Sequence, residues 1–350
     1  MSSKNYPGIS VVIPTWNGRF LLETFLSSVL AAVYQYQKMF IAPAEVILVD
    51  DGSTDDTAAW LEKHFFQQVC LIRRPRNGGF APACNTGFRA SRYPLVLLLN
   101  NDVEVDPEFI GPLVEHFSDP KVFAVTPKVY DLDRKVFCNG GKVGRFRHGF
   151  WSMYANYDVV GKTGEELIST RKLLSISAIG GFSMFDRSKL TLLQGFDELF
   201  SPYHWEDNDL SYRAWKRGWE IHYEPRSLVY HNASSTINSH FQKNQVEVIS
   251  LRNRLMFHWK NLHTPAMWCS HLFMLLFLLL INALRLNLRF YRALAQAVGH
   301  LPRLRLLRRA ERHAATVADR ELRRQFQKFF SSPGLSIVPS RKEAMKLSLP

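Results

Sequence analysis

Four short runs of apolar and β-branched residues punctuate the first hundred positions, at 9–14, 45–50, 69–73 and 95–99. Each is hydrophobic almost throughout instead of alternating, which is the pattern of a strand buried on both faces. Residues 19–39 and 54–66 between them are helix-compatible, so the order reads β-α-β-α-β and predicts an α/β domain with a mostly parallel sheet. Ligands of open α/β sheets collect beyond the carboxyl ends of the strands. Residues 14–18, 50–55 and 100–106 are therefore expected on one rim.

Residues 130–170 are rich in Gly, Lys and aromatics without a clean period, and read as hairpins and loops beside the sheet edge. DLSYRAWKRGW, which ends at Trp219, reads as a helix with an acidic start and a basic end, as the helix dipole favours. Residues 220–231 return as a strand and 242–261 as a helix. The next twenty residues, 265–284, are apolar almost without interruption, and Leu284, Leu288, Tyr291, Ala295 and Val298 then recur at helical spacing with arginines between them.

Composition changes the picture in one place. A chain of 350 residues with 46% hydrophobic and 21% charged positions is an ordinary globular protein. Its net charge of +13, however, is concentrated at the end: from Arg285 onward 15 Lys and Arg face 4 Asp and Glu, leaving only +2 for everything before. Cations beside an apolar segment match an anionic membrane surface and not a nucleic acid. The expected location is the cytoplasmic face of the inner membrane, peripheral or monotopic, because a single crossing would carry the basic tail to the far side against the positive-inside rule. The four cysteines lack metal or disulfide spacing, and residues 1–8 show no apolar signal region, both consistent with a reducing, cytoplasmic start. The organisation expected is an α/β domain over 1–240, a connecting helix over 241–264, membrane-associated helices over 265–330 and a flexible tail over 331–350.

Candidate chemistry lies in strings at the strand ends: VVIPTWNG from Val11, VDDGSTD from Val49, RNGGFAPACNTGF from Arg76, LLLNNDVEVD from Leu97, SAIGGFSMF from Ser177, GFDELF from Gly195 and SPYHWEDNDL from Ser201, with His231 closing a strand. Alone, DGSTD reads equally as a turn with a helix cap, and the paired glycines as a helix entry. In this order the set resembles the family 2 glycosyltransferases, inverting enzymes of the GT-A fold, over roughly residues 9–260.

That resemblance implies a GT-A domain, a Rossmann-like sheet flanked by helices, followed here by a C-terminal helical membrane-associated extension. It implies donor binding by Pro14, Thr15, Asn17, Asp51 with Asp50 as second choice, Gly79, Asn85 and Asn101. It implies a divalent cation, Mg²⁺ or Mn²⁺, on Asp102 and His231; the family's D-x-D motif is reduced here to Asn100, Asn101 and Asp102, with one matching carboxylate. The acceptor would border Gly180, Gly181, Trp205 and Glu206, and Asp207 would be the catalytic base. The reaction implied is transfer of one hexose-type sugar from a UDP- or dTDP-sugar to a saccharide or lipid-linked hydroxyl in surface polysaccharide assembly. The Q-x-x-R-W string of processive members does not occur, which favours one sugar per encounter. The alternative reading is a catalytically silent nucleotide-sugar-binding membrane scaffold.

Overall fold

A computed structural model describes residues 6–170, 172–231 and 242–339; the expected 240/241 domain boundary lies outside the described residues. Strands β1 (Ile9–Thr15), β2 (Ala44–Asp50), β3 (Cys70–Arg73) and β4 (Leu95–Leu98) alternate with helices α1 (Arg19–Phe40), α2 (Thr57–Phe65) and α3 (Phe80–Ala90). They form a parallel half-sheet in the order β3-β2-β1-β4; β3 stands at the sheet edge, with Cys70 and Arg73 exposed and Leu71 and Ile72 half-buried, so it is not the strand buried on both faces that its apolar run suggested. The chain starts in the middle, at β1, and winds outward to both sides. Ile9 pairs with Ala44 and Thr15 with Asp50, so these two strands end in register. Side chains alternate between faces: Val12 joins one core cluster with Val49 and Leu98, while Val11, Ile13 and Leu97 join another.

Beyond β4 the sheet is mixed. The added strands are β5 (Val103–Val105), β6 (Val122–Asp131), β7 (Phe137–Asn139), β10 (Met184–Asp186) and β11 (Glu220–His231). The path continues β4-β10-β6-β11-β5, with β10 antiparallel to both neighbours and β7 paired to β6. The α/β expectation holds, with parallel order confined to the first four strands and the β6–β11 pair. Helix α4 (Ile110–Glu115) precedes β6, and the unpatterned middle forms a long hairpin, β8 (Gly141–Arg147) and β9 (Phe150–Val159), followed by two short helices, α5 (Gly161–Ser169), which the sequence pattern did not suggest, and α6 (Arg187–Leu192).

Helix α7 (Glu206–Lys216) has Glu206, Asp207 and Asp209 in its first turn and Arg213 and Lys216 in its last. Helices α8 (Lys243–Asn261), α9 (Pro265–Leu284), α10 (Leu288–Gly299), α11 (Leu301–Ala314) and α12 (Asp319–Phe330) follow. They do not form a detached tail. Phe326 of α12 meets the Trp215 ring edge-on at 4.9 Å, and Asp319 accepts from Lys216 Nζ at 2.6 Å and from Tyr212 at 2.7 Å. The same carboxylate caps the start of α9 through the backbone N–H groups of His263 and Thr264.

One expectation for the C-terminal region needs correction. Part of the tail expected to be flexible is a strand: Leu335–Pro339 pairs antiparallel with β9, after Gly334 turns the chain at a φ of 85°. The stripe through Leu284, Leu288, Ala295 and Val298 faces outward, and the face of α10 that is buried is Phe290, Ala293 and Ala297. Period alone identified one apolar stripe where the helix has two.

Candidate active site

A cavity of about 350 Å³ opens at the carboxyl ends of β1, β2 and β4, the rim expected from the strand order. Pro14, Thr15, Asp51, Gly79, Asn101, Asp102, Gly180, Glu206 and His231 all line it, although they are drawn from the whole length of the domain. The registers explain this convergence. Val12 pairs with Leu98, so Asn101 arrives opposite Thr15 and donates to its hydroxyl at 2.9 Å. β11 ends antiparallel to β5, which follows directly on Asp102, and this sets His231 Nε2 3.3 Å from Asp102 Oδ1.

Asp51 is 3% exposed and forms the wall near the α3 N-terminus. It accepts from the backbone of Gly78 and from Gly79 at 2.8 Å and is paired with Arg74. Burial nevertheless lifts its pKa above the usual aspartate value, against those donors. Gly79 adopts a φ of 92°, and a Cβ there would approach Pro202 at 3.1 Å, so glycine is required both by the backbone and by the opposite wall.

On that opposite wall Glu206 is 8% exposed, and its Oε2 has no hydrogen-bond partner among the described residues. Burial and the neighbouring Asp207 push its pKa up. Asp207 is half-buried and packs against Gly180, where an added Cβ would sit 3.1 Å from its own. Its Oδ1 accepts from the Asn208 N–H at 2.7 Å. Burial raises its pKa, while that N–H and the Lys142 ammonium oppose the shift. The ammonium is itself depressed by burial, to about 8.

Six residues expected in the site do not line the cavity, and the first is Asp207, which stands next to Glu206 and behind the lining residue Gly180. Asn17, at a φ of 47°, spends its amide on Thr54 and Asp55 and laces two rim loops together. Asp50 accepts from the Ser53 N–H at 3.0 Å, as the carboxylate of a turn. Asn85 is buried against the backbone of Phe196, with bonds of 2.9 Å in both directions. Gly181 makes room for the Asn100 side chain. The Trp205 ring packs inward on Phe257 at 5.1 Å. In their place the cavity takes Trp16, Asn77, Phe80, Asn100, Tyr203 and His204. All six stand inside or beside the strings already singled out, but no periodicity says which member of a turn faces inward.

Asp102 and His231 supply one oxygen and one nitrogen side by side on the cavity wall, a donor set that fits Mn²⁺ or Mg²⁺ when phosphate oxygens and water complete the shell. Among the described residues no group of three or more His, Cys, Asp or Glu converges in this way.

The fold class is GT-A, and the comparisons agree. GalNAc-T7 with UDP, GalNAc and Mn²⁺ superposes with a TM-score of 0.54 at 20% identity, covering 73% of this chain and 48% of that one. Staphylococcus aureus TarS with UDP-GlcNAc gives 0.51 at 16% identity, covering 92% and 91%. Residues 10–190 match Glycosyl transferase family 2, more than half the chain, and the protein belongs to that family. The poly-β-1,6-N-acetyl-D-glucosamine synthase of Staphylococcus aureus strain COL is 27% identical over 227 residues, 64% of this chain and 49% of the synthase. N-acetylgalactosaminyltransferase 4 of Drosophila melanogaster is 26% identical over 64% of this chain and 35% of its own. The chain thus spans half or less of the length of these curated relatives.

Proposed function

We propose that the protein is an inverting glycosyltransferase that moves one sugar from a nucleoside diphosphate sugar to an acceptor hydroxyl. The observation that carries this is the single cavity in which the strand-end residues Thr15 and Asp51, the Asp102–His231 pair and the buried acid Glu206 beside Asp207 converge. Asp51 and the Gly79 turn receive the nucleoside. Asp102 and His231 hold the divalent cation, which when bound supplies positive charge beside the leaving diphosphate. The acceptor oxygen forms its bond to the anomeric carbon as that carbon loses the diphosphate, which departs with the bonding electrons. The acceptor proton passes to the Asp207 carboxylate. Glu206, on the same wall, borders the acceptor.

The test is a thermal-shift screen of nucleotide sugars with and without Mn²⁺, because a ligand bound only by the folded state raises apparent stability. A donor that stabilises the protein only with the cation supports the reading; no shift with any nucleotide sugar overturns it. Asp102→Ala is expected to weaken cation-dependent donor binding more than His231→Ala, since the carboxylate brings charge to the cation and the imidazole does not. Equal donor affinity in wild type and Asp102→Ala, titrated with Mn²⁺ present, would remove Asp102 from the metal site.

The exposed apolar face favours a membrane-bound, lipid-linked acceptor. Helix α9 is long and apolar enough to cross a bilayer and is largely exposed. Leu272, Phe273, Leu276, Phe277, Leu280 and Leu284 line one side of it and continue into Leu286, Leu288 and Val298. The opposite side is tied to the protein: His271 Nδ1 bonds the Gly149 carbonyl, and Tyr291 of α10 donates to the Leu279 carbonyl at 2.6 Å. A helix held near both ends favours lying in the interface of the cytoplasmic leaflet over spanning, with the exposed arginines of α10 and α11 toward anionic headgroups. A cysteine replacing Ser332 is then expected to react with an impermeant reagent only after the cytoplasmic side is opened. Labelling from outside intact spheroplasts would establish a span instead.

A further inference from the structure

The cavity wall formed by Pro202, Tyr203 and His204 is a loop in an unfavourable conformation. His204 and Trp205 have φ values of 70° and 78°, consecutive left-handed residues that are not glycine. Such backbone persists only where its surroundings over-determine it. Here the determinant is a pair of adjacent side chains on α8. Asn253 is fully buried, and the two hydrogens of its Nδ2 are shared among the carbonyls of Phe200 at 2.7 Å, Tyr203 at 3.0 Å and His204 at 2.8 Å. Arg252 donates from Nη2 to the Ser201 carbonyl at 2.6 Å and from Nε to Asn253 Oδ1 at 2.9 Å. Four of five consecutive carbonyls are therefore held by two neighbouring residues of one helix.

We propose that Arg252 and Asn253 are positioning residues for sugar transfer, acting through this loop on the two acids that follow it. Resting on the glycosyltransferase reading, the argument is one of connectivity. The Trp205 carbonyl accepts from the Asp209 N–H at 2.9 Å and opens α7, so the loop fixes where Glu206 and Asp207 emerge. The link from the loop to the donor side, the Phe80 N–H donating to the Pro202 carbonyl at 3.3 Å, uses the one carbonyl of the run that neither α8 residue holds. Thr15, Asp51 and Asp102 instead sit at strand ends of the main sheet, secured by bonds of their own. Loosening the α8 contacts displaces the base and leaves the nucleotide half in place.

This separation makes the proposal testable with the full chain. Arg252→Ala and Asn253→Ala are expected to lower kcat by between about 10- and 100-fold, the scale of a small misplacement of a reacting group. Affinity for UDP or dTDP in Mn²⁺, measured by titration calorimetry, should stay at the wild-type value. Arg252→Lys, which keeps a cationic donor for the Ser201 carbonyl, should restore most of the turnover. Hydrogen exchange supplies a readout independent of activity: amides of residues 203–209 should exchange faster in both alanine variants while those of β1 and β2 do not change. Unchanged exchange at 203–209 overturns the proposal whatever the turnover, and so does a loss of nucleotide affinity by the same factor as kcat. Should Asn253→Ala fail to fold, the half-buried Arg252 carries the test. A wild type that binds nucleotide but transfers no sugar would count against the glycosyltransferase reading, with the exchange result still deciding whether the α8 pair sets the loop.

Discussion

Replacing Asp207 with Asn is expected to lower kcat by about 10²- to 10⁴-fold with donor affinity almost unchanged. The amide matches the carboxylate in size and can still accept from the Asn208 N–H, so the helix start survives. What it cannot do is take a proton. The same group should shape the pH profile. Burial raises the pKa of Asp207, and the Asn208 N–H and Lys142 offset the shift only in part. A base works ionised, so the rate should fall as pH drops through a value above the ordinary aspartate range. Lys142→Met removes a cation that favours the carboxylate and should move that acid limb further up. An Asn variant as fast as wild type, or an acid limb at the ordinary aspartate value, would take Asp207 out of the base role.

Asp319→Asn is expected to destabilise the fold by about 3–5 kcal/mol, the cost of leaving one member of a buried ion pair without its partner. Asp319 is fully buried and joins Lys216 and Tyr212 of α7 to the start of α9. Burial opposes ionisation there, but Lys216, Tyr212 and the Thr264 N–H outweigh it and hold the pKa below the usual value. The stability this carboxylate contributes is therefore complete above its unfolded value of about 3.9 and is lost as pH falls through the depressed folded value. Urea unfolding at neutral pH reads the effect directly, as a lower midpoint at constant slope. An unchanged midpoint would mean that the C-terminal helices are not held by this carboxylate.

Much of the frame was legible because a buried parallel strand announces itself. β1, β2 and β4 and helices α1 and α2 are continuous or periodic runs, and the rim of the sheet follows from their order. The individual site residues were harder to read. Asp50 and Asp51 are adjacent and chemically identical, yet a two-residue repeat sends one to a turn and the other to the cavity. Asn17 and Asn85 look like ligand donors, and the fold uses them as braces between loops. The two faces of α10 also escaped the pattern, because apolar residues occupy both and only packing against α8 decides which is core. Arg252 and Asn253 gave no signal at all: their partners are main-chain carbonyls about fifty positions away, and carbonyls have no letter in the sequence.

The strand Leu335–Pro339 and the helix before it also bear on how the protein is made. Helix α7, which opens with Glu206 and Asp207, has its far end sealed by Phe326 and Asp319, and β9 receives its last partner only when Leu335–Pro339 arrives. On the ribosome, domains that fold early do so from segments already released. This one cannot finish that way: the helix that carries Glu206 and Asp207 waits for residues made more than a hundred positions later, after the exposed apolar helix α9 has emerged. The C-terminal helices and the cavity wall should therefore be completed together, and a truncation that removes those helices should yield an unfinished protein.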